Sequence, residues 1–397
     1  MKSAHGLFFA LTALLSQESF AFCQLPAERK VTAATRLDWQ FAVSGFGKNA
    51  AKLPAGYDST KQRYQLFVPK NYRKDKPAAM VLFISPSDQP GSFKSWQKLC
   101  ETDGVFFASP FGAGNNTAPG VRTRIILDVL DDVRRLYRID PDQTYITGFS
   151  GGGRMACAIG FALPEYFGGV APICGTNPIS GPGYLRHRVE ERLSVAFVTG
   201  EKDMNRKENE VYMAPWFEEI GVRSKLWVVA KMGHDVPPPA ILGEVHTWLA
   251  ADLKRRREDA KARPRLAIGP DEAPSGAEQA KRFLDTGLAD LKSADRTWRG
   301  VSLLQAVTNR WSATEAGKLA RQRLKEIGAD EKLLERIGDQ GTLDEVTSMS
   351  AQAKALERFG NLPKAIEAWE LLAKNYEGTA VAVRAAENIK RLRGKGK

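Results

Sequence analysis

Histidine and cysteine are scarce in this chain, at four residues each in 397. The cysteines, Cys23, Cys100, Cys157 and Cys174, show none of the close paired spacings of a zinc site. Long apolar runs are also missing. Leu7 to Leu15 is the most apolar stretch, and it is too short to cross a bilayer as a stable helix, so no stable membrane insertion is expected. There is no basic-aromatic motif of a nucleic-acid module, despite a net charge of +12. The sharpest basic run, Lys254-Arg255-Arg256-Arg257, is followed at once by Glu258 and Asp259 and reads as the exposed end of a helix. No partner among nucleic acids is therefore expected.

What is present suggests several regions. Lys2, the apolar core Leu7 to Leu15 and the small-x-small triplet Ser19-Phe20-Ala21 form a targeting segment, with cleavage near Ala21 and export to the periplasm or beyond. Phe22 stands where a lipidated cysteine would need a small neighbour, which argues against an anchor at Cys23. Four cysteines in an exported chain suggest disulfides, with three full pairings open. Cys157 and Cys174 are equally readable as buried free thiols.

From there to about residue 262, apolar strands alternate with helical patterns. Arg36–Ser44, Arg63–Pro69, Met80–Ile84, Val105–Ser109, Gly169–Ile173, Leu193–Thr199 and Leu226–Ala230 read as strands. Gly120–Tyr137 is a helix, with Ile125, Ile126, Val129, Leu130, Val133 and Leu136 at helical spacing. Such alternation predicts a mostly parallel sheet with helices on both faces. The stretch 263–276 carries three prolines and two glycines and reads as a linker. Residues 277–397 are almost purely helical in pattern. The expected division is a leader at 1–21, an α/β domain at 22–262, the linker, and a helical domain at 277–397.

The most informative residue is Ser150, in Tyr145-Ile146-Thr147-Gly148-Phe149-Ser150-Gly151-Gly152-Gly153. This is a strand, a glycine-rich break and a helix, with the G-x-S-x-G pattern of a nucleophile elbow. A hydroxyl at the tip of so sharp a turn needs neighbours without bulk, and Gly148 and Gly152 supply that. The following helix aims its N-terminus at the serine, where negative charge would develop in acyl transfer.

A serine nucleophile needs a base, and the base an orienting acid. Leu193–Thr199 leads into Gly200-Glu201-Lys202-Asp203, and Leu226–Ala230 into Lys231-Met232-Gly233-His234-Asp235. His234 is the candidate base and Asp203 its orienter. Glu201 remains a minor alternative, and Asp235 follows the histidine too closely to reach its far nitrogen. The other histidines fit less well: His5 is in the leader, His187 in a polar stretch, and His246 in a helical pattern. All three candidates lie at carboxyl ends of strands, where ligands bind in such sheets.

These residues, together with Asp140-Pro141-Asp142-Gln143-Thr144-Tyr145 before the elbow, make the chain resemble a serine esterase of the α/β-hydrolase superfamily, over roughly Thr35 to Leu253. The likeness is to secreted feruloyl-esterase-like and polyhydroxybutyrate-depolymerase-like enzymes. It implies an α/β-hydrolase fold, ester cleavage through an acyl-enzyme, and no metal or organic cofactor. One departure stands out. The family usually carries His-Gly after the third strand, completing the oxyanion hole, but here the chain reads Ser85-Pro86-Ser87-Asp88. Pro86 has no N–H. The donors are then expected from the amide of Gly151 and that of Ser85 or Ser87, with Ser87 preferred. Losing one donor costs about 3 kcal/mol of transition-state stabilisation.

Asn115 and Asn116, in the loop after Val105–Ser109, are candidates to meet a polar substrate. The favoured reading of both is that they satisfy turn geometry. No long apolar insertion resembles a lipase lid. The tail carries a degenerate likeness to tetratricopeptide repeats around Leu356 to Trp369, which suggests a protein partner. Two other readings stay open: a serine peptidase of the same fold, and an inactive hydrolase scaffold presenting its tail for binding.

Overall fold

The computed structural model describes residues 25–44, 52–180, 183–262 and 275–395. The leader, its cleavage site, Cys23 and most of the expected linker lie outside the described residues.

Eight strands form one sheet: β1 (Ala27–Lys30), β2 (Arg63–Phe67), β3 (Ala78–Ile84), β4 (Phe106–Pro110), β5 (Ile139–Phe149), β6 (Gly169–Ile173), β7 (Ser194–Gly200) and β8 (Arg223–Val229). Their order is β1-β2-β4-β3-β5-β6-β7-β8. β2 runs antiparallel to both its neighbours, and from β4 through β8 every pairing is parallel. This is the α/β-hydrolase fold.

The central strands are nearly continuous apolar runs because both sheet faces are covered. Side chains alternate between faces. Met80, Leu82, Ile84, Ile146, Val170, Val195 and Phe197 enter one core. Val81, Phe83, Tyr145, Ala171, Ile173, Ala196 and Val198 enter the other. The second core is closed by α2 (Phe93–Asp103) and α7 (Pro239–Ala251). The first is covered by α1 (Trp39–Ser44), α3 (Pro119–Leu136), α4 (Gly151–Ala162), α5 (Gly183–Arg192) and α6 (Ala214–Glu219).

The expected strand at Arg36–Ser44 does not form. Its first residues run as a loop, and Trp39–Ser44 is α1. Asp128, Asp131 and Asp132 of α3 are buried and hold the chain that leads into this segment. Thr32 N–H donates to Asp132 at 2.7 Å, Thr35 N–H to Asp128 at 2.8 Å and Arg36 N–H to Asp131 at 2.7 Å. Backbone donors taken by carboxylates are lost to a sheet ladder. The edge strand is instead β1, exposed at all four residues and so without alternation to betray it.

After α8 (Leu253–Ala262), the chain is described again from Ser275. Ser275 caps α9 (Gly276–Asp290) by a reciprocal capping box with Glu278. There follow α10 (Thr297–Arg310), α11 (Glu315–Ile327), α12 (Glu331–Phe359), α13 (Leu362–Asn375) and α14 (Ala380–Lys395). The sequence pattern places a helix start at Leu343, but α12 runs unbroken for 29 residues. Gly341 lies within it as a contact point, where a Cβ would meet the Trp298 ring at 3.2 Å. The apolar core beneath α3 to α6 continues without a break into α9, α10, α11 and α12.

Cys100, Cys157 and Cys174 are free and buried, so the expectation of disulfides fails for them. Each packs as a small apolar side chain in one of the two sheet cores. Burial raises the Cys157 thiol to about 11 and, as the largest cause, the Cys174 thiol to about 12.

Candidate functional site

Ser150 stands between β5 and α4 with φ 53° and ψ −119°, a region that L-residues rarely occupy. The glycines around it explain how such a turn is held. A Cβ on Gly148 would sit 2.5 Å from the Gly152 backbone, and one on Gly152 only 2.0 Å from Ile84 O. A Cβ on Gly175, after β6, would meet Ser150 O at 2.4 Å. Ser150 N–H donates to Ile173 O at 2.8 Å. The elbow is thus wedged against the ends of β3 and β6 by backbone contact alone.

Asp203 follows β7 and His234 follows β8. Glu201 N–H donates to Val229 O at 2.9 Å and Lys202 N–H to Met232 O at 2.8 Å, which brings the two loops together. The three side chains then meet. His234 Nδ1 lies 2.7 Å from Asp203 Oδ1, and His234 Nε2 lies 3.0 Å from Ser150 Oγ. A carboxylate only accepts, so Nδ1 carries the proton and Nε2 is left as acceptor for the serine hydroxyl. The Phe149 ring packs against the imidazole at 4.8 Å between centroids.

Asp203 is buried. Burial pushes its carboxyl pKa up, but hydrogen bonds from Thr199, the Asn205 amide, His234 and Cys174 outweigh this and hold it below the ordinary value. Thr199 Oγ1–H donates at 2.6 Å and Asn205 N–H at 3.0 Å. Cys174, Asp203 and His234 offer ligand atoms within 4.8 Å of one another. Within that group, the imidazole and carboxylate are already bonded to each other. Glu201 is turned elsewhere, accepting from Lys231 N–H at 2.7 Å, and Asp235 Oδ1 accepts from Val236 N–H at 2.7 Å.

Gly151 is the first residue of α4, so its N–H has no partner in the helix. Ser87 N–H donates to Ser85 Oγ at 3.2 Å. Asn115 lies close above Gly151, where a Cβ would fall 2.0 Å from Asn115 Oδ1. Asn116 is exposed, and no hydrogen bond ties it to the triad among the described residues. His187 is a buried residue of α5 that meets Asp344 of α12, and His246 is a buried residue of α7.

Two residues were not legible as part of the site. Asp88 Oδ1 accepts from Gly114 N–H at 3.0 Å, and Asp88 O from Gly112 N–H at 2.8 Å, joining the loops after β3 and β4. Arg122 is buried between the same loops, and burial lowers its guanidinium to about 10, still protonated at neutral pH. Its signal was periodicity: position 122 falls in step with Ile125, Ile126 and Val129 on the buried stripe of α3, an unusual place for a charge.

No family model matches the chain. It is similar to poly(3-hydroxyalkanoate) depolymerase C of Paucimonas lemoignei, at 27% identity over 150 residues, covering 34% of each chain. It is also similar to poly(3-hydroxybutyrate) depolymerase of Ralstonia pickettii, at 28% identity over 103 residues, covering 22% of this chain and 21% of that one. The chain spans about a third or less of the length of the curated relatives it matches. Among solved structures, S-formylglutathione hydrolase FrmB of Staphylococcus aureus aligns with a TM-score of 0.39 at 16% identity, over 49% of this chain and 94% of that one.

Proposed function

We propose that this protein is an exported serine hydrolase that cleaves carboxylic esters. The reading is carried by one observation, the unbroken hydrogen-bonded series Ser150–His234–Asp203 at 3.0 and 2.7 Å.

In this reading Ser150 Oγ attacks the ester carbonyl carbon as His234 Nε2 takes its proton. Asp203 fixes the Nδ1–H tautomer and stabilises the imidazolium. The carbonyl oxygen becomes negative and accepts from the Gly151 amide, beside the positive end of α4. His234 then returns the proton to the departing alcohol, leaving an acyl group on Ser150. Water, deprotonated by the same imidazole, attacks that acyl group and frees the acid. No step calls for a metal or an organic cofactor.

The similarity to poly(3-hydroxybutyrate) and poly(3-hydroxyalkanoate) depolymerases supports an ester or polyester substrate, and polysaccharide-linked esters share that chemistry. Export rests on the leader pattern at residues 1–21. We further read residues 22–262 as the catalytic domain and the helices beyond Ser275 as an appended helical domain, a surface for a protein partner. The assembled triad favours an active enzyme over an inert scaffold.

The test is p-nitrophenyl acetate hydrolysis and fluorophosphonate labelling by purified protein and by Ser150→Ala. Both signals should vanish in the variant. Labelling or full turnover surviving in Ser150→Ala would end the proposal.

A further inference from the structure

The proposed oxyanion hole has one evident donor, the Gly151 amide, where acyl transfer ordinarily uses two. In the segment after β3, the preferred donor Ser87 and its neighbour Pro86 are poor sources of the second. Pro86 has no N–H, and the Ser87 N–H is already bonded to Ser85 Oγ.

The loop after β4 brings a donor of another kind. The Asn115 carboxamide lies directly against Gly151: a Cβ there would fall 2.0 Å from Oδ1, 2.7 Å from Cγ and 2.8 Å from Nδ2. Its orientation is chemically determined. Arg122 Nη1 is 3.1 Å from Asn115 Oδ1, and a guanidinium can only donate, so the carbonyl oxygen faces the arginine. Nδ2 therefore presents its two hydrogens away from that partner, and it has no protein acceptor among the described residues.

Arg122 is itself immobilised. Its Nε donates to Ala113 O at 2.6 Å and its Nη2 to Ser85 O at 3.1 Å. Asn115 N–H donates to Pro86 O at 2.8 Å, which ties the loop to the segment after β3. A polar side chain held beside the nucleophile's neighbour by a buried cation is pre-organised at no cost during the reaction.

We infer that Asn115 Nδ2 is the second oxyanion donor of this enzyme, and that Arg122 positions it, in place of the backbone donor that His-Gly supplies elsewhere. The inference rests on the proposed serine-esterase reading. As Ser150 Oγ bonds to the carbonyl carbon, the electron pair of the broken C=O π bond moves onto oxygen. That oxygen then accepts from Gly151 N–H and Asn115 Nδ2–H.

The experiment compares full-length protein with Asn115→Ala, Asn115→Asp and Asn115→Ser, reading kcat and KM on p-nitrophenyl acetate and the affinity of a trifluoromethyl ketone, whose adduct on serine bears an oxyanion. Asn115→Ala should lower kcat by about 10²–10³-fold with KM within threefold. Ketone affinity should fall by a similar factor. Asn115→Asp should be worse, because its carboxylate repels the oxyanion. Asn115→Ser, whose donor is too short to reach as Nδ2 does, should lie between Ala and wild type but about tenfold or more below wild type, and it serves if the Ala variant does not fold. Asn115→Ala or Asn115→Ser with kcat within threefold of wild type, or a fall in kcat without loss of ketone affinity, would overturn the inference. Ser150→Ala separates the two readings: if it kills activity while Asn115→Ala does not, the triad stands and only the role of Asn115 falls.

Discussion

The rim of the sheet and the helical tail are held in place by different means. At the elbow and between the loops that carry Asp203 and His234, position is set largely by backbone against backbone. Gly148, Gly152 and Gly175 have no room for a methyl group, and Asp203 and His234 are brought together by main-chain bonds between their loops. The tail is held by side chains. Apolar residues of α9 to α12 continue the core, and a belt of charged and polar groups surrounds them: Arg299 with Glu190 and Glu191, Arg296 with Glu191, Arg186 and His187 with Asp344. Backbone fit tolerates no change and fixes atoms closely, as chemistry requires. Side-chain docking can lose members one at a time.

If that contrast is right, the largest effect belongs to a change that spares the fold. Asp203→Asn should leave the melting temperature within a few degrees and lower kcat by about 10⁴-fold, because the imidazole loses its fixed tautomer. That is about 5 kcal/mol of transition-state stabilisation. A variant keeping a tenth of wild-type kcat would mean that another carboxylate serves His234.

Gly152→Ala tests the rim itself. Its new methyl group would lie 2.0 Å from Ile84 O, a backbone atom of a central strand that cannot yield as a side chain would. A loss of about 3 kcal/mol or more is expected, seen as a fall in the urea midpoint together with lost esterase activity. A soluble, active variant of wild-type stability would show that the elbow is looser than its contacts indicate.

The contrast also explains what could be read from the sequence. G-x-S-x-G, the chain order of Ser150, Asp203 and His234, and their place at strand ends were legible because backbone constraints leave glycines and apolar runs behind. Arg310 left no such trace. It reaches from α10 into the core beneath α3 to α6, with Asp38 2.7 Å from its Nε and its guanidinium over the Phe41 and Trp311 rings at 4.0 and 4.4 Å. Nothing local in the sequence distinguishes it from a surface arginine. The same holds for Asp128, Asp131 and Asp132, which take the amides of Thr32, Thr35 and Arg36, before and at the start of the expected strand, from a helix 93 to 100 residues away.

In the tail, Asp344→Asn should have a moderate effect. Burial raises the Asp344 carboxyl pKa, but His187 and Arg186 outweigh it and hold the group well below its ordinary 3.8. The folded value being depressed, this contribution is complete above about pH 4 and is lost as pH falls toward the folded value. The carboxylate is partly exposed, so solvent screening keeps the cost near 1–2 kcal/mol at pH 7. Melting curves between pH 7 and pH 3 should show the wild type losing more stability than Asp344→Asn in the acid limb. Parallel curves would mean that the pair adds nothing to docking.

Arg358→Ala should have the smallest effect. Arg358, at the end of α12, bonds Glu219 of α6 at 2.8 Å, with both side chains more than a third exposed. Such pairs gain little because water screens them and two flexible side chains must be ordered, so about 0.5 kcal/mol or less is expected in urea unfolding. Beside it, the Tyr212 ring packs on Phe359 at 5.8 Å, and buried Trp216 stacks on Tyr212. This aromatic seam is what should hold α12 against the segment that follows Asp203. Tyr212→Ala should therefore destabilise more than Arg358→Ala. The reverse ranking would mean that α12 is fastened by its rim of charges, and that its grip on the segment after Asp203 depends on salt.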